Sequence, residues 1–166
     1  MKLTACSTVV QMIPAATVAD SPRLVSMSPE AVDKVRRLEA NLKDLPQVDI
    51  RTEHLIHGGM YARTVRIPAG TVLTGALIKR ATVLIVSGEC AVFTGGGVLE
   101  LHGYHVLPGS AGRKQAFMAR TDTCLTMLFP SNATSVEQAE AEFTDEVHLL
   151  LSRQDEGKNL ITITGE

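Results

Sequence analysis

Two pairs of histidines are the residues of this chain whose type and spacing could bind a metal ion. His54 and His57 lie three residues apart, and so do His102 and His105. Residues three apart in a strand point to opposite faces of the sheet, so neither pair can chelate one ion unless a turn lies between its members. The two pairs could meet in space as a metal site, but hairpin-end and surface positions are the simpler interpretation.

Other patterns that carry catalysis are missing from the sequence. The glycine triplet at 95–97 is not followed by the Lys-Ser/Thr of a phosphate-binding loop. Ser87 and Ser110 lie in turns without the pattern of a nucleophile elbow. The three cysteines are far apart and form no C-x-x-C pair, which disfavours a disulfide framework and a thiolate zinc site. We therefore predict no catalytic residue, no metal ligand and no cofactor.

Composition places the chain among globular proteins and limits its partners. Of its 166 residues, 45% are hydrophobic and 20% charged, and the formal net charge is −2 with scattered basic residues. Nucleic-acid binding needs concentrated positive charge and a membrane span needs about 20 consecutive apolar residues, so neither partner is expected. Gln11 and Pro14 interrupt the apolar run near the N-terminus, which does not fit a secretion signal. A cytoplasmic location is the expectation.

Two amphipathic helices are predicted, one on each side of the central part of the chain. Ser-Pro-Glu at 28–30 is typical of a helix start, and apolar residues recur at three- and four-residue spacing until Pro46 ends the pattern. A capping box at 134–137 begins the second helix, which we expect to run to about Ser152 within a segment 132–153. The acidic residues at 137–146 are interpreted as the solvated face of this helix.

Residues 47–131 carry short strand-like segments separated by turn residues. The pattern predicts strands near 47–50, 60–67, 71–74, 77–86, 90–94, 98–101, 104–107, 115–119 and 123–129. Turns are predicted at Ser87-Gly88-Glu89 and at the glycine triplet, among other places. Many short strands at regular spacing favour a mainly-β sandwich or barrel that hides its edges by closure.

The two ends of the chain lie outside this patterned body. Residues 1–27 are predicted to be an extended arm with a strand-like stretch at 7–13. Residues 154–166 are predicted to be a tail in which 160–164 alternates as a strand does, without an obvious partner in the barrel.

An ordered set of short motifs connects the body to a known family. The motifs lie at 45–48, 59–63, 67–75, 85–88, 108–114 and 139–143, and include Pro68-Ala69-Gly70 and Ser87-Gly88. With these motifs, residues 46–144 resemble the cupin superfamily, and more narrowly the cupin-like proteins of bacteriophages and prophages. The resemblance implies a single double-stranded β-helix (jelly-roll) barrel, here flanked by an N-terminal and a C-terminal amphipathic helix.

The resemblance also implies where metal ligands would lie. Cupins carry two histidines and a glutamate in the first motif and a third histidine in the second. At the matching positions this chain has Ala76 and Ile78, then Thr82 near the glutamate, and Arg113 at the third histidine. Alanine and isoleucine have no lone pair to offer, and arginine repels a cation. The chain is therefore expected to be a metal-free cupin.

Arg113 is the main candidate for binding a ligand in such a barrel. At an inward position its fixed charge would need a carboxylate or an anionic ligand as partner. Lys79 or Arg80 would assist it, and His105 and Tyr61 complete the set of candidate ligand-binding residues. An internal salt bridge or an outward-facing basic turn is the alternative.

Three functions follow from these expectations. The first is a metal-free, non-catalytic module of phage or prophage type that acts in oligomeric assembly as a virion-associated structural protein, with the virion as its alternative location. The terminal arms would add strands to the sheet edge of a neighbouring subunit, giving a homo-oligomer, and other virion proteins would be further partners. The alternatives are a barrel that binds a small anionic ligand, and an isomerase- or oxygenase-like enzyme with a non-standard metal site.

Overall fold

The computed structural model describes residues 22–154 and 156–165. Eight strands dominate these residues, with one long helix before them and short helices near the C-terminus. In chain order the elements are α1 (Pro29–Leu42), β1 (Thr52–His57), β2 (Met60–Ile67), β3 (Val72–Thr74), β4 (Thr82–Phe93), β5 (Val98–Gly109), β6 (Ala116–Ala119), β7 (Thr123–Pro130), α2 (Val136–Phe143), α3 (Leu151–Gln154) and β8 (Asn159–Ile163). Single 3-10 turns lie at Val147–Leu149 and Glu156–Lys158.

Helix α1 begins where the sequence predicts and ends earlier. The Ser28 hydroxyl accepts a hydrogen bond from the Ala31 amide, and Pro29 occupies the first turn. Ala31, Val32 and Val35 are buried, so one stripe of the helix packs against the strands. The apolar stripe is buried only in its first half.

The strands form one sheet that curls into a half-barrel. β4 pairs with β5 along its whole length on one side, and with β7 and then β6 on the other. β3 lies beyond β6, while β2, β1 and β8 follow β7 in that order. The mainly-β prediction is confirmed, but the sheet does not hide its edges by closure. Within the described residues β3, β5 and β8 are edge strands.

A pair of opposed glycines bends the long β4–β5 ribbon. Gly88 faces Gly103 in the register, and both have positive φ, at 133° and 83°. A side chain at Gly88 would lie 2.7 Å from the Asp122 carbonyl oxygen, so only glycine allows the chain to approach this closely. The predicted turn at Ser87-Gly88-Glu89 is therefore wrong, because the glycine lies inside a continuous strand. The predicted break between 101 and 104 is wrong for the same reason.

Other strand predictions differ in their bounds. β2 and β7 lie where the alternation places them, and the glycine triplet at 95–97 joins β4 to β5 as a hairpin. The predicted strand at 47–50 is absent, and β1 was not predicted. The predicted strand at 77–86 begins only at Thr82, because the preceding backbone bonds to two other segments. Ile78 N–H donates to the Arg113 carbonyl at 2.8 Å, and Lys79 N–H donates to the Phe143 carbonyl at 2.8 Å.

The core is mainly aliphatic and includes part of the predicted N-terminal arm. Tyr61, Phe129 and Phe143 form an aromatic group inside it, with ring centroids 5.2–6.3 Å apart. Leu24 is completely buried and forms a parallel bridge with Gly109. The predicted arm thus joins the half-barrel from residue 22 onwards, and its strand-like stretch at 7–13 lies outside the described residues.

The C-terminal segment departs most from the prediction. The expected helix to Ser152 ends at Phe143, because Thr144 is extended and donates its hydroxyl to the Leu77 carbonyl at 2.8 Å. The strand predicted at 160–164 is present as β8, but it has a partner in its own chain: it pairs in parallel with β1. Among the described residues, no helix is long and apolar enough to cross a membrane.

Candidate functional site

The concave side of the half-barrel contains an apolar cavity of about 140 Å³. Strands β2, β3, β4, β6 and β7 and the loop after β3 supply one part of its wall, and α1, the end of α2 and the residues at 149–151 supply the rest. Its lining includes Val65, Leu73, Ala76, Ile78, Leu84, Phe117, Leu125, Met127, Phe143 and the three leucines at 149–151. Arg63 and Glu39 are its charged lining residues. Apart from these two charges and Thr74, the side chains that line the cavity are apolar.

The structure brings together the positions that the resemblance matches to metal ligands. Ala76 and Ile78 line the cavity. Ile78 also pairs with Arg113, whose guanidinium donates to the Thr82 hydroxyl at 2.6 Å. Three of the four positions are thus in direct contact, but none offers a free metal-ligating group. Among residues 22–154 and 156–165, no group of three or more His, Cys, Asp or Glu side chains is placed to hold a metal ion.

Arg113 is buried, and within the part of the chain that the structure describes no carboxylate pairs with it. It is 2% exposed, and its guanidinium donates to the Ser110 carbonyl and to Thr82. Burial lowers the pKa of Arg113 to about 10, which still leaves it protonated at neutral pH. Within the described residues, a backbone carbonyl and a hydroxyl oxygen solvate this charge in place of the expected carboxylate, and the anionic ligand stays a prediction. Arg113 is not among the residues that line the cavity.

Lys79 and Arg80 bind acidic residues of the C-terminal segment. The Lys79 ammonium lies 2.5 Å from the Asp145 carboxylate. Arg80 lies 2.7 Å from Glu142, and its guanidinium carbon lies 4.3 Å from the centre of the Phe129 ring. Neither cation lines the cavity, so the structure does not gather them around one ligand position with Arg113.

Tyr61 and His105 lie in different environments. Tyr61 is completely buried, and its hydroxyl lies 2.8 Å from Nδ1 of His54. Burial raises the pKa of Tyr61 to about 12 and lowers that of His54 to about 4, with Arg63 contributing to the shift of His54. His105 is half-buried on β5, with Nε2 3.0 Å from the His102 carbonyl oxygen. His54 was expected near the surface, but it is 2% exposed and faces the core.

Acidic side chains of the C-terminal segment, expected to be solvated, pair with cations of the half-barrel. Glu140 is completely buried; its carboxylate lies 2.9 Å from Arg63 and 2.5 Å from Arg153, and it accepts the Ser152 hydroxyl. Arg63 also donates to the Ser152 hydroxyl at 2.9 Å. We call Glu140, Arg63, Ser152 and Arg153 the Glu140 cluster. It fixes the segment after α2 beside the cavity.

A second buried ion pair connects three distant segments. The Lys114 ammonium is completely buried and lies 3.2 Å from Glu39 of α1 and 3.0 Å from Glu146. Burial of Glu146 opposes its ionisation, but hydrogen bonds from the Leu77 amide and from Lys114 outweigh it, so its pKa is lowered. Arg36 of α1 adds a further contact to Glu146 at 3.2 Å.

The Glu140 cluster was missed by the sequence analysis, although one signal for it exists. Arg63 lies between Tyr61 and Val65 on the inward-facing positions of β2, where alternation predicts apolar side chains. A charge at such a position requires a buried partner. The identity of that partner is not visible locally, because Glu140 lies 77 residues further along the chain.

The solved structures that are similar to this chain include cupin superfamily proteins. A cupin superfamily protein from Desulfitobacterium hafniense is 14% identical with a TM-score of 0.42, covering 56% of this chain and 87% of that one. The cupin domain of Cnp3 from Schizosaccharomyces pombe is 13% identical with a TM-score of 0.41, covering 55% of this chain and 67% of that domain.

An enzyme is among the similar structures. Salicylate 1,2-dioxygenase from Pseudoaminobacter salicylatoxidans is 16% identical with a TM-score of 0.45, and the match covers 79% of this chain but only 40% of the enzyme. At such low identities and TM-scores the similarity carries no conclusion about what this chain binds or does. No protein-family model and no curated protein sequence matches the chain.

Proposed function

We propose that this chain is a non-catalytic module that works by assembling with further copies of itself. The observation that carries this proposal is the distribution of exposed aliphatic and aromatic side chains along the edge strands. On β5, Val98, Tyr104 and Val106 are 55–66% exposed. On β8, Leu160 and Ile161 are at least half exposed. Several exposed apolar side chains along the same edge strand are typical of a protein interface.

The internal partners of the basic side chains support the same proposal. Lys79, Arg80 and Lys114 each pair with a carboxylate of the same chain, and Arg113 binds oxygen atoms of the chain itself. No one of these four side chains lines the apolar cavity. An anionic ligand would have to displace internal partners to use them, which favours a structural role for these charges.

The proposed setting is a virion or another phage-encoded assembly. Its support is the resemblance of residues 46–144 to the cupin-like proteins of bacteriophages and prophages. Other proteins of such an assembly would be further partners.

The test of assembly is the mass of the full chain in solution. Sedimentation velocity and light scattering between about 1 and 100 µM should give a dimer or a larger species that dissociates on dilution. A monomer over the whole range would contradict the proposal. Tyr104→Glu and Ile161→Lys, on the two apolar edges, would show which edge is used.

A second candidate function is the binding of a small neutral apolar molecule in the cavity. The observation that favours it is the apolar lining, because a cavity of about 150 Å³ lined by aliphatic and aromatic side chains accepts a benzene-sized molecule. Thermal unfolding with benzene or indole should show a rise in Tm for the natural chain. Ala76→Leu, which fills part of the cavity, should abolish the rise. An equal rise in both proteins would contradict binding at this site.

A further inference from the structure

Strand β8 lies at an edge of the sheet. Among residues 22–154 and 156–165 its one partner strand is β1, from Asn159 opposite Thr52 to Ile163 opposite Ile56. The amide of the next residue, Thr164, donates to the Ile56 carbonyl at 3.1 Å. Because backbone groups alternate in direction along a strand, the amides and carbonyls of Ile161 and Ile163 point away from β1. These donors and acceptors form a free edge.

Both faces of β8 are apolar and exposed. Leu160, Ile161 and Ile163 are 53%, 50% and 48% exposed, and Leu55 of the neighbouring β1 is 42% exposed. Ile161 and Ile163 lie on the face of β1 that carries His54 and Ile56, whereas Leu160 lies on the opposite face. A helix packed on one face would leave the apolar side chains of the other face exposed. An added strand has side chains on both faces, so it fits this edge better than a helix does.

The other two edge strands carry features that discourage strand pairing. β3 has only three residues. β5 carries Glu100, His102 and Pro108, and the Leu24 bridge occupies its end at Gly109. Charge, proline, short length and cover are the usual devices that protect an edge. β8, with the sequence Asn-Leu-Ile-Thr-Ile, has no charged residue and no proline.

We propose that β8 pairs antiparallel with β8 of a second copy of this chain, about a twofold axis at Ile161. This inference rests on the proposed assembly function and names its surface and its partner. In this register the outward-pointing groups of Asn159, Ile161 and Ile163 meet the same groups of the other copy, which allows about six backbone hydrogen bonds. Antiparallel pairing suits a twofold axis, because each outward amide then faces an outward carbonyl.

The side chains are self-complementary in the same register. Ile161 lies opposite Ile161 of the second copy, Asn159 opposite Ile163, and Leu160 opposite Thr162. No like charges face each other within the paired strands, and aliphatic side chains cover both faces of the junction. The two half-barrel sheets become one continuous sheet through the dimer.

The test compares substitutions that block the free edge with substitutions elsewhere. Ile161→Pro removes an outward amide without removing a hydrogen bond to β1, and Ile161→Lys places a charge at the centre of the junction. Each should weaken self-association by about 100-fold or more in sedimentation velocity, with far-UV circular dichroism unchanged. Val106→Lys on β5 is the matched control and should leave the dissociation constant within about threefold.

The outcomes separate this inference from the proposed function. A natural chain that is monomeric overturns both. A natural chain that assembles, with Ile161→Pro and Ile161→Lys assembling equally well, overturns the β8 pairing and leaves assembly standing. Val10→Lys, in the strand-like N-terminal stretch, tests the rival occupant of the edge. Loss of assembly in that variant alone would assign the edge to residues 7–13 instead.

Discussion

The apolar cavity and the Glu140 cluster lie side by side and are stabilised in different ways, the first by apolar packing and the second by buried charges that pair with one another. The cavity is lined mainly by apolar side chains, which need no partners beyond close packing. The Glu140 cluster places a fully buried carboxylate among two arginines and a serine, and each group depends on the others. The buried charge lies in the contact between β2 and the segment after α2. The first region should tolerate changes in shape, and the second should not tolerate changes in charge.

The strongest test of this contrast is removal of the buried carboxylate. Glu140→Ala leaves Arg63 and Arg153 without their partner beside the core, and we expect a loss of about 3–5 kcal/mol in the free energy of unfolding. Urea denaturation measures it. Glu137→Ala, an exposed position in the first turn of the same helix, is the matched control and should lower stability by no more than about 1 kcal/mol, the value of a helix N-terminal acid. Equal effects of the two substitutions would refute a special role for Glu140.

A second test uses pH and the buried His54. Its pKa is about 4 in the folded chain against 6.5 for an exposed histidine, because burial and Arg63 disfavour its protonated form. The unfolded chain therefore takes up a proton first as pH falls. Stability should be constant above about pH 6.5, decrease by about 3 kcal/mol between pH 6.5 and 4, and be unaffected by this group at lower pH.

His54→Gln gives the control for that pH dependence. It keeps a hydrogen-bonding side chain beside Tyr61 but does not titrate, so the slope between pH 6.5 and 4.5 should largely disappear. The pH range above 4.5 reports on His54 without a contribution from folded-state titration of Glu146, because the lowered pKa of Glu146 places that titration below pH 4.5. A slope that persists unchanged in the variant would show that another group is responsible.

The smallest effect is expected inside the cavity. Ala76→Leu adds apolar volume to a space of about 140 Å³, so the change in stability should stay within about 1.5 kcal/mol in either direction. Ala76→Asp places a charge on the same half-buried wall and should cost more than Ala76→Leu but less than Glu140→Ala. A loss in Ala76→Leu as large as that in Glu140→Ala would remove the distinction between the two regions.

The sequence predicts the local parts of this fold better than its long-range contacts. Alternation locates β2 and β7, and Ser28 with Pro29 marks the start of α1. Gly88 misleads, because a glycine that permits a bend inside a strand has the same local pattern as one in a turn. Gly103 opposite it becomes meaningful only once the register is known.

In the candidate site, too, the sequence predicts some positions but not the long-range contacts between them. Ala76 and Ile78, which the resemblance matches to ligand positions, line the cavity, and Thr82 contacts Arg113. The resemblance does not predict which acidic residue pairs with which basic residue, because each pair depends on how the segment after α2 packs against the strands. Acids on an amphipathic helix look solvated until the strands that they face are known. Glu140 is the clearest case.

The position of Lys114 has a consequence for the way this protein opens. One ammonium group is shared by α1 and the C-terminal segment, through Glu39 and Glu146. If either element separates, the charge stays behind at a completely buried position with half of its partners gone. We therefore expect α1 and the segment that carries Glu146 to open as one cooperative unit, with matching amide hydrogen-exchange rates, although Arg36 and Glu146 are 110 residues apart in sequence.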